Sequence, residues 1–343
     1  MIKRNIKTKL VGKEELFKVI ALGESMRKPI LLIGVPGVAK TQSLLDYAGA
    51  MYNYNGKDTR ENCFILELDE GTKSSEIKGR VNMEDLLINK KYTIDAPIAD
   101  ASYILINEVD KGSSAVRNTM LSVMREKALF LGNTIKSCKW ILFAGSCNEI
   151  TDDPEDAPFW DRFLIKYTVE RVRVMDLSSK VWTGKSKTEI SIDLPEKDDI
   201  NNVSLNSALM NTFLKVIYTD ISDRTAVELP LMVKSIKIIW GTNDIESIMK
   251  CCEMVCPSKV QNLSAKLEDP LIAQIKGSIR SLPSIEGNDL LVQAINDVEE
   301  LIEKLKLNPL YTNKADELSK SLVDTQASSQ NCQDLIKSLQ NKV

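Results

Sequence analysis

The chain has 343 residues, 43% hydrophobic and 27% charged, which gives room for two or three domains and excludes wholesale disorder. A net charge of −3 argues against a dedicated duplex-DNA binder, and no apolar run reaches the roughly 18–20 residues that a membrane-spanning helix needs. There is no histidine, which removes the usual general base and the commonest zinc ligand and leaves chemistry that runs on positioned charge, phosphoryl transfer above all.

Lys3, Arg4, Lys7 and Lys9 open the chain, but no apolar segment follows them, so a secretory signal is not expected. With seven cysteines, an odd number without framework spacing, this points to a reducing, cytoplasmic setting. From about residue 10 to 170, short apolar runs alternate with helical spans. Ile30–Ile33 predicts a buried strand, followed by a Gly/Pro turn and a helix over about 40–54. Phe64–Leu68, Tyr103–Ile106, Ile141–Ala144 and Leu164–Val169 predict four further strands, with a helix over Ser114–Arg125. All-apolar strands separated by helices predict an α/β fold, a five-stranded parallel sheet sandwiched by helices. Lys78 to Asp100, between the second and third strands, reads as either an insertion or a surface hairpin. We expect a nucleotide-binding core over 1–175, a polar linker over 176–202, an all-helical lid over 203–262 and a helical extension over 263–343.

In the helical region Ser222 or Asp223 is suited to cap one helix, and Asn243, with Glu246 three residues on, another. Pro230 is expected to kink or restart its helix, since an interior proline costs about 3 kcal/mol. Leu291, Ile295, Val298, Ile302 and Leu305 form a heptad-like stripe, which suits either packing within one domain or pairing with a partner helix. Cys251, Cys252 and Cys256 lack a fourth ligand and read as packed thiols, as the scattered tryptophans read as packing residues.

The strongest local motif is Gly34-Val35-Pro36-Gly37-Val38-Ala39-Lys40-Thr41, between a strand and a helix. Backbone N–H groups of such a loop wrap a β-phosphate, and the helix start adds positive potential. Lys40 would reach the β- and γ-phosphates and Thr41 would hold Mg²⁺, with Gln42 next in line. Ala39 stands where glycine is usual, which is tolerable if its φ is negative. Tyr103–Ile106 then delivers Asn107 and Glu108 to a strand end. In a phosphate-loop ATPase the first acid there faces Mg²⁺ and the second polarises water, and here the first is an amide without charge. Phe143–Cys147 delivers Asn148, whose amide can orient water without titrating, and Arg162 follows within Trp160-Asp161-Arg162-Phe163.

Taken in this order, the motifs resemble an AAA+ core followed by its lid, and their wording is similar to the MoxR group. The loop has that group's Ala before Lys40, and Glu70–Gly79 and Val109–Met124 match its neighbouring segments. Ser146-Cys147-Asn148-Glu149, Trp160–Ile165 and Ile221-Ser222-Asp223-Arg224 are closest to the RavA branch. The resemblance covers about residues 10–260. It implies ATP and Mg²⁺ as ligands, with Thr41, Asn107 and Glu108 toward the metal and Val11 and Gly12 near the adenine. It further implies sensor 1 at Asn148, an arginine finger at Arg162 and sensor 2 at Arg224, in a ring of usually six subunits. A chaperone-like remodelling motor is the expected activity, with a von Willebrand A-domain protein as partner. Asn107 departs from the family pattern and leaves open a ring that binds nucleotide but hydrolyses it weakly or not at all.

Overall fold

The computed structural model describes residues 2–52, 62–90, 93–131, 134–151, 153–172, 188–267, 275, 278–282, 288–306 and 315–325. The chain divides into two units, Met1–Val260 and Gln261–Val343.

In the first unit, β1 (Ile2–Thr8) leads to α1 (Glu14–Met26), β2 (Ile30–Ile33) and α2 (Lys40–Tyr52). Next come β3 (Cys63–Glu67), α3 (Ser74–Lys78), β4 (Arg80–Val81), α4 (Met83–Leu87), β5 (Ile94–Asp95) and α5 (Pro97–Asp100). Then follow β6 (Tyr103–Asn107), α6 (Ser114–Arg125), β7 (Ala128–Leu131), β8 (Thr134–Ser137), β9 (Leu142–Cys147), α7 (Ala157–Trp160), β10 (Ile165–Thr168) and β11 (Thr188–Leu194).

Five of these strands form one sheet in the order β10-β2-β9-β6-β3, and every pairing is parallel. Each strand therefore needs a crossover, and helices cover the apolar runs. The central strands β6 and β9 are buried along their whole length, which is why they read as unbroken hydrophobic segments. α1 lies so close to β2 that a Cβ on Gly23 would sit 2.3 Å from Ile30 Cγ2, so only glycine fits that crossing.

Three features differ from expectation. The basic opening segment is β1, and it pairs antiparallel with β11 along its full length, Ile2 with Leu194 and Thr8 with Thr188. The polar stretch expected as a linker over 176–202 thus supplies β11 and a short helix, Lys197–Asn201; its residues 176–187 lie outside the described residues. β1 is tied down by a buried polar cluster in which Arg4 Nη2 donates to Glu24 Oε1 at 2.6 Å and Tyr47 Oη donates to Glu24 Oε2 at 2.5 Å. The third is Pro230, at which the helix does not restart but runs through as Asp223–Trp240. Leu229, Met232, Val233 and Ile236 are fully buried around it, and that packing outweighs the missing N–H.

Helix Asp223–Trp240 packs on α1, helix Asp244–Val255 packs on Asp223–Trp240, and helix Ser207–Ile217 packs on Asp244–Val255. Ser222 caps the second, and Asn243 with Glu246 forms a capping box on the third. Trp240 Nε1 donates to Glu15 of α1 at 2.8 Å, and Lys250 Nζ lies 2.6 Å from the same carboxylate. Cys251, Cys252 and Cys256 are buried free thiols, and no group of three or more His, Cys, Asp or Glu able to hold a metal occurs among the described residues. Trp140 and Trp160 are core residues, while Trp182 lies outside the described residues. The segment from Lys78 to Asp100 folds as the small β4–β5 ladder around α4, with Leu87 and Ile88 exposed beside it. In the second unit, Val298 and Ile302 of helix Asn288–Lys306 are buried with Ile279, Leu318 and Leu322, so the middle of the heptad-like stripe packs within that unit. The side chains of Leu291 and Leu305 lie outside the described residues. Among the described residues no helix is long and apolar enough to cross a membrane.

Candidate functional site

Parallel strands deliver all their following loops to one edge of the sheet. β2 pairs with β9 (Ile33 beside Cys147), and β9 pairs with β6 (Gly145 beside Ile106). The loop after β2 therefore lies next to the ends of β9 and β6, the usual position of a ligand site in an open α/β sheet.

The loop from Gly34 to Ala39 turns tightly into α2. A Cβ at Gly34 would lie 2.7 Å from the Val169 carbonyl oxygen, and Gly37 has φ +84°, so both positions need glycine. Val38 is buried and anchors the bend, while Pro36 is exposed on its outside. Ala39 has φ +68°, in the left-handed region, so the condition under which a methyl is readily tolerated there is not met. Lys40 Nζ folds back over the loop. It donates to the Gly34 carbonyl, to Val35 O at 3.3 Å and to Asn148 Oδ1 at 3.3 Å. Burial pulls its pKa below the ordinary lysine range, against the opposing pull of Cys147, Asp110 and Glu108. Burial also pushes the Cys147 thiol, at the end of β9, up to about 12, with Asp110 adding to the shift. Gln42 points along α2 instead, its Nε2 donating to Asp46 Oδ1 at 2.7 Å.

Thr41 Oγ1 donates to Asn107 Oδ1 at 3.2 Å, and Ser146 Oγ donates to the same oxygen at 3.0 Å. Glu108 follows in the left-handed region with φ +54°, and its carboxylate is ion-paired with Lys111. The structure thus brings together two hydrogen-bonded sets at one edge of the sheet, Lys40 with Asn148 and Thr41 with Asn107 and Ser146, and Glu108 follows Asn107.

Gly12 lines a cavity of about 630 Å³ that also contacts Val169 and Glu170 at the end of β10, and Val11 is not among its lining residues. Val169 N donates to Ile33 O at 2.7 Å, so the cavity begins one hydrogen bond from the phosphate loop. Lys13 Nζ closes one wall by donating to Glu170 O at 2.7 Å.

Arg162 and Arg224 lie elsewhere. Arg162 precedes β10 by three residues, and β10 starts in register with the start of β2, Ile165 beside Ile30. Arg162 is thus at the amino-terminal edge of the sheet and Lys40 is at the carboxyl-terminal edge. Burial and the nearby charge of Arg224 both lower the Arg162 pKa, so the two guanidiniums share one region. One turn beyond Arg224, Glu228 pairs with Lys28 at 2.5 Å, two residues before β2 starts, which fixes Arg224's helix at the same edge. Arg162 Nη1 lies 3.3 Å from Asp161 Oδ2, and its Nε is buried without a hydrogen-bond partner.

The model for the MoxR domain in the MoxR-vWA-beta-propeller ternary systems matches residues 1–204, more than half of the chain. The chain belongs to the MoxR family. Structural protein ORF618 of Acidianus two-tailed virus is 30% identical over 161 residues, covering 46% of this MoxR chain and 25% of that protein. Two uncharacterized proteins of Methanocaldococcus jannaschii are 25% and 27% identical over 185 and 168 residues, covering 53% and 47% of this chain and 48% and 42% of their own lengths. The chain thus spans a quarter to about half of these curated relatives. A solved structure from Cytophaga hutchinsonii, described as a candidate ATPase, superposes with a TM-score of 0.54 over 72% of this chain and 82% of that one, at 18% identity. At that identity the likeness shows the fold alone, an α/β fold with a five-stranded parallel sheet.

Several residues around the MoxR site gave no sequence signal for their contacts. Ser146 faces into β9's neighbour β6 and shares the Asn107 oxygen, a cross-strand contact that depends on register. Lys111 could have been found from its i,i+3 spacing to Glu108. Lys13 and Glu170 meet across 157 positions of chain and carry no motif.

Proposed function

We propose that this MoxR chain binds Mg²⁺-ATP at the Gly34–Thr41 loop and hydrolyses it as one subunit of a ring, probed best through Lys40. The observation that carries this reading is the ammonium of Lys40 resting on the Gly34 and Val35 carbonyls and on Asn148, at the loop that opens α2. A β,γ-phosphate offers that ammonium a stronger, charge-assisted exchange. We assign the adenine to the cavity beside Gly12, next in the chain to Val11.

The donor set suits Mg²⁺, which takes one or two protein ligands and fills the rest of its octahedron with phosphate and water. Thr41 would hold it, with Asn107 reaching the metal side through the Thr41 hydroxyl and Glu108 coming toward it once released from Lys111. The metal supplies charge neutralisation of the phosphates. Glu108, once released from Lys111, orients the attacking water, and Asn148 aligns it. Arg162 cannot serve its own loop from the opposite edge of the sheet, which supports action on a neighbour's γ-phosphate. Arg224, expected as sensor 2, keeps company with Arg162, and we assign it to the same intersubunit side. That geometry supports a homo-oligomer, a hexamer on family expectation. We retain 1–175 as core and 203–262 as lid, with 176–202 as a connection that adds β11, and 263–343 as an extension.

The family's description names a von Willebrand A domain and a β-propeller, which supports a protein partner of that kind and a chaperone-like remodelling role. The six described cysteines are free thiols, which supports a reducing, cytoplasmic setting. Placement near the RavA branch rests on Ser146–Glu149 and Trp160–Ile165. Purified full-length chain should bind a fluorescent ATP analogue and turn ATP over. Lys40→Ala should abolish binding, and Glu108→Gln should keep binding while stopping turnover; binding that survives Lys40→Ala refutes the site.

A second reading is a nucleotide-dependent structural ring, in which ATP stabilises assembly by mass action. Asn107 favours it, and the relative from Acidianus two-tailed virus carries the name of a structural protein. Under this reading Asn107→Asp creates or sharply raises hydrolysis, and an unchanged rate argues against it.

A further inference from the structure

Asn107 has no lone pair to spare. A carbonyl oxygen accepts two hydrogen bonds, and its Oδ1 already takes one from Thr41 at 3.2 Å and one from Ser146 at 3.0 Å. Its other terminal group is an NH₂, a donor, which repels a cation and cannot accept from a metal-bound water. Glu108 is no substitute, because its carboxylate is engaged by Lys111.

Three residues beyond Asn107 stands Asp110. It lies in the middle of the short 3₁₀ turn Val109–Lys111, which closes when Lys111 N donates to Glu108 O at 2.9 Å and is anchored by the fully buried Val109. Asp110 Oδ1 is closed to solvent and has no hydrogen-bond partner. Among the described residues it is the one side-chain acceptor in that condition; the other unpartnered buried atoms are arginine nitrogens. Its turn follows the end of β6, and β6 pairs with β9, which pairs with β2 and so ends beside the phosphate loop; the turn is therefore on that edge of the sheet, in keeping with the pull of Asp110 on Lys40 and Cys147. A shielded carboxylate oxygen without a partner is costly and calls for a cation.

We infer that Asp110 supplies the negative charge toward the Mg²⁺ shell that Asn107 cannot, so that the acid has moved from the end of β6 to the turn that follows it. This rests on the Mg²⁺-nucleotide reading above. The site keeps a neutral amide to hold the Thr41 hydroxyl and a carboxylate to face the metal side, two tasks that a single aspartate would otherwise combine.

The test is the affinity of the full-length chain for a fluorescent ATP analogue, measured in MgCl₂ and in EDTA. In the unmodified chain Mg²⁺ should tighten binding. Asp110→Asn should cut that tightening about tenfold while leaving the affinity in EDTA unchanged or improved, since a negative charge near the triphosphate has gone. Asp110→Glu should keep part of the Mg²⁺ effect, which separates loss of charge from damage to the turn. Asn107→Asp placed in the Asp110→Asn background should restore it. An Mg²⁺ effect that is the same in Asp110→Asn as in the parent overturns the inference and leaves the phosphate-loop reading standing. Failure of the parent to bind nucleotide in either condition removes that reading, and this inference with it.

Discussion

Ala39 offers a test whose sign depends on one backbone angle. At φ +68° its methyl is in the left-handed region, which costs a residue with a Cβ about 1–2 kcal/mol. Replacing it with glycine removes that strain. The freer unfolded chain takes back about 0.4–1 kcal/mol, so Ala39→Gly should stabilise the first unit by about 0.5–1 kcal/mol. With a urea slope of about 2–3 kcal/mol per molar, the midpoint should rise by about 0.3 M. If Ala39 instead had a negative φ, the same change would lose about 0.5–1 kcal/mol, because glycine is then only a source of disorder. Ala39→Val is the counterpart: a branched side chain suits this region still less, so the midpoint should fall by more than the glycine raises it. Urea unfolding followed by circular dichroism on the full-length chain, without nucleotide, reads both. A lower midpoint for Ala39→Gly refutes the loop geometry and the Lys40 placement that depends on it.

Arg162→Ala and Lys40→Ala should each lose about 10³-fold or more in turnover alone, and mixed rings should recover activity, because one variant keeps an intact loop and the other an intact finger; no recovery on mixing argues against action between neighbours. Arg117 Nη1 lies 3.0 Å from Asp156 Oδ2 with both side chains nearly shut from solvent, and Asp156 continues through Thr151 to Trp160 beside Arg162. Arg117→Met should cost about 3 kcal/mol in thermal or urea unfolding, and Asp156→Asn added to it should recover part; a loss below about 1 kcal/mol shows the pair to be solvated. Burial raises the thiols of Cys138 to about 11 and of Cys147 and Cys252 to about 12, and it lifts that of Cys251 well above the ordinary thiol range. Their folded pKa values exceed their unfolded ones, so the stability they contribute is complete below about pH 9 and drains away as pH rises toward 12. The unfolding midpoint should therefore fall above pH 9, and Cys251→Ala should flatten the fall; an identical slope would mean that this thiol does not take part.

The parallel sheet was legible because its strands are buried on both faces and read as uninterrupted apolar runs, such as Tyr103–Ile106. The loop was legible because its glycines, Lys40 and Thr41 lie within eight consecutive residues, and Gly37 answers a local backbone demand with φ +84°; the demand on Gly34 comes from Val169, far along the chain. β1 was not, because Ile2–Thr8 holds only two apolar residues, Ile2 and Ile6, without a period-two pattern, and it becomes a strand by pairing with β11, some 186 positions away. Pro230 misled for a related reason: a local penalty was outweighed by burial of Leu229 and Val233 against partners invisible in sequence order.

The order of residues alone determined which chemistry is possible. It excludes histidine, sets a glycine-lined bend ahead of Lys40 and Thr41, and puts an amide at 107 where a carboxylate is usual. These are matters of residue type and short spacing, and short spacing survives without a fold. Only tertiary structure decided who faces whom. Register across β2, β9 and β6 joined Lys40 to Asn148 and Thr41 to Asn107, left Asp110 Oδ1 without a partner, and sent Arg162 and Arg224 to the far edge of the sheet. The physical reason is that hydrogen bonds and charge act over a few ångströms in space, whatever the distance along the chain.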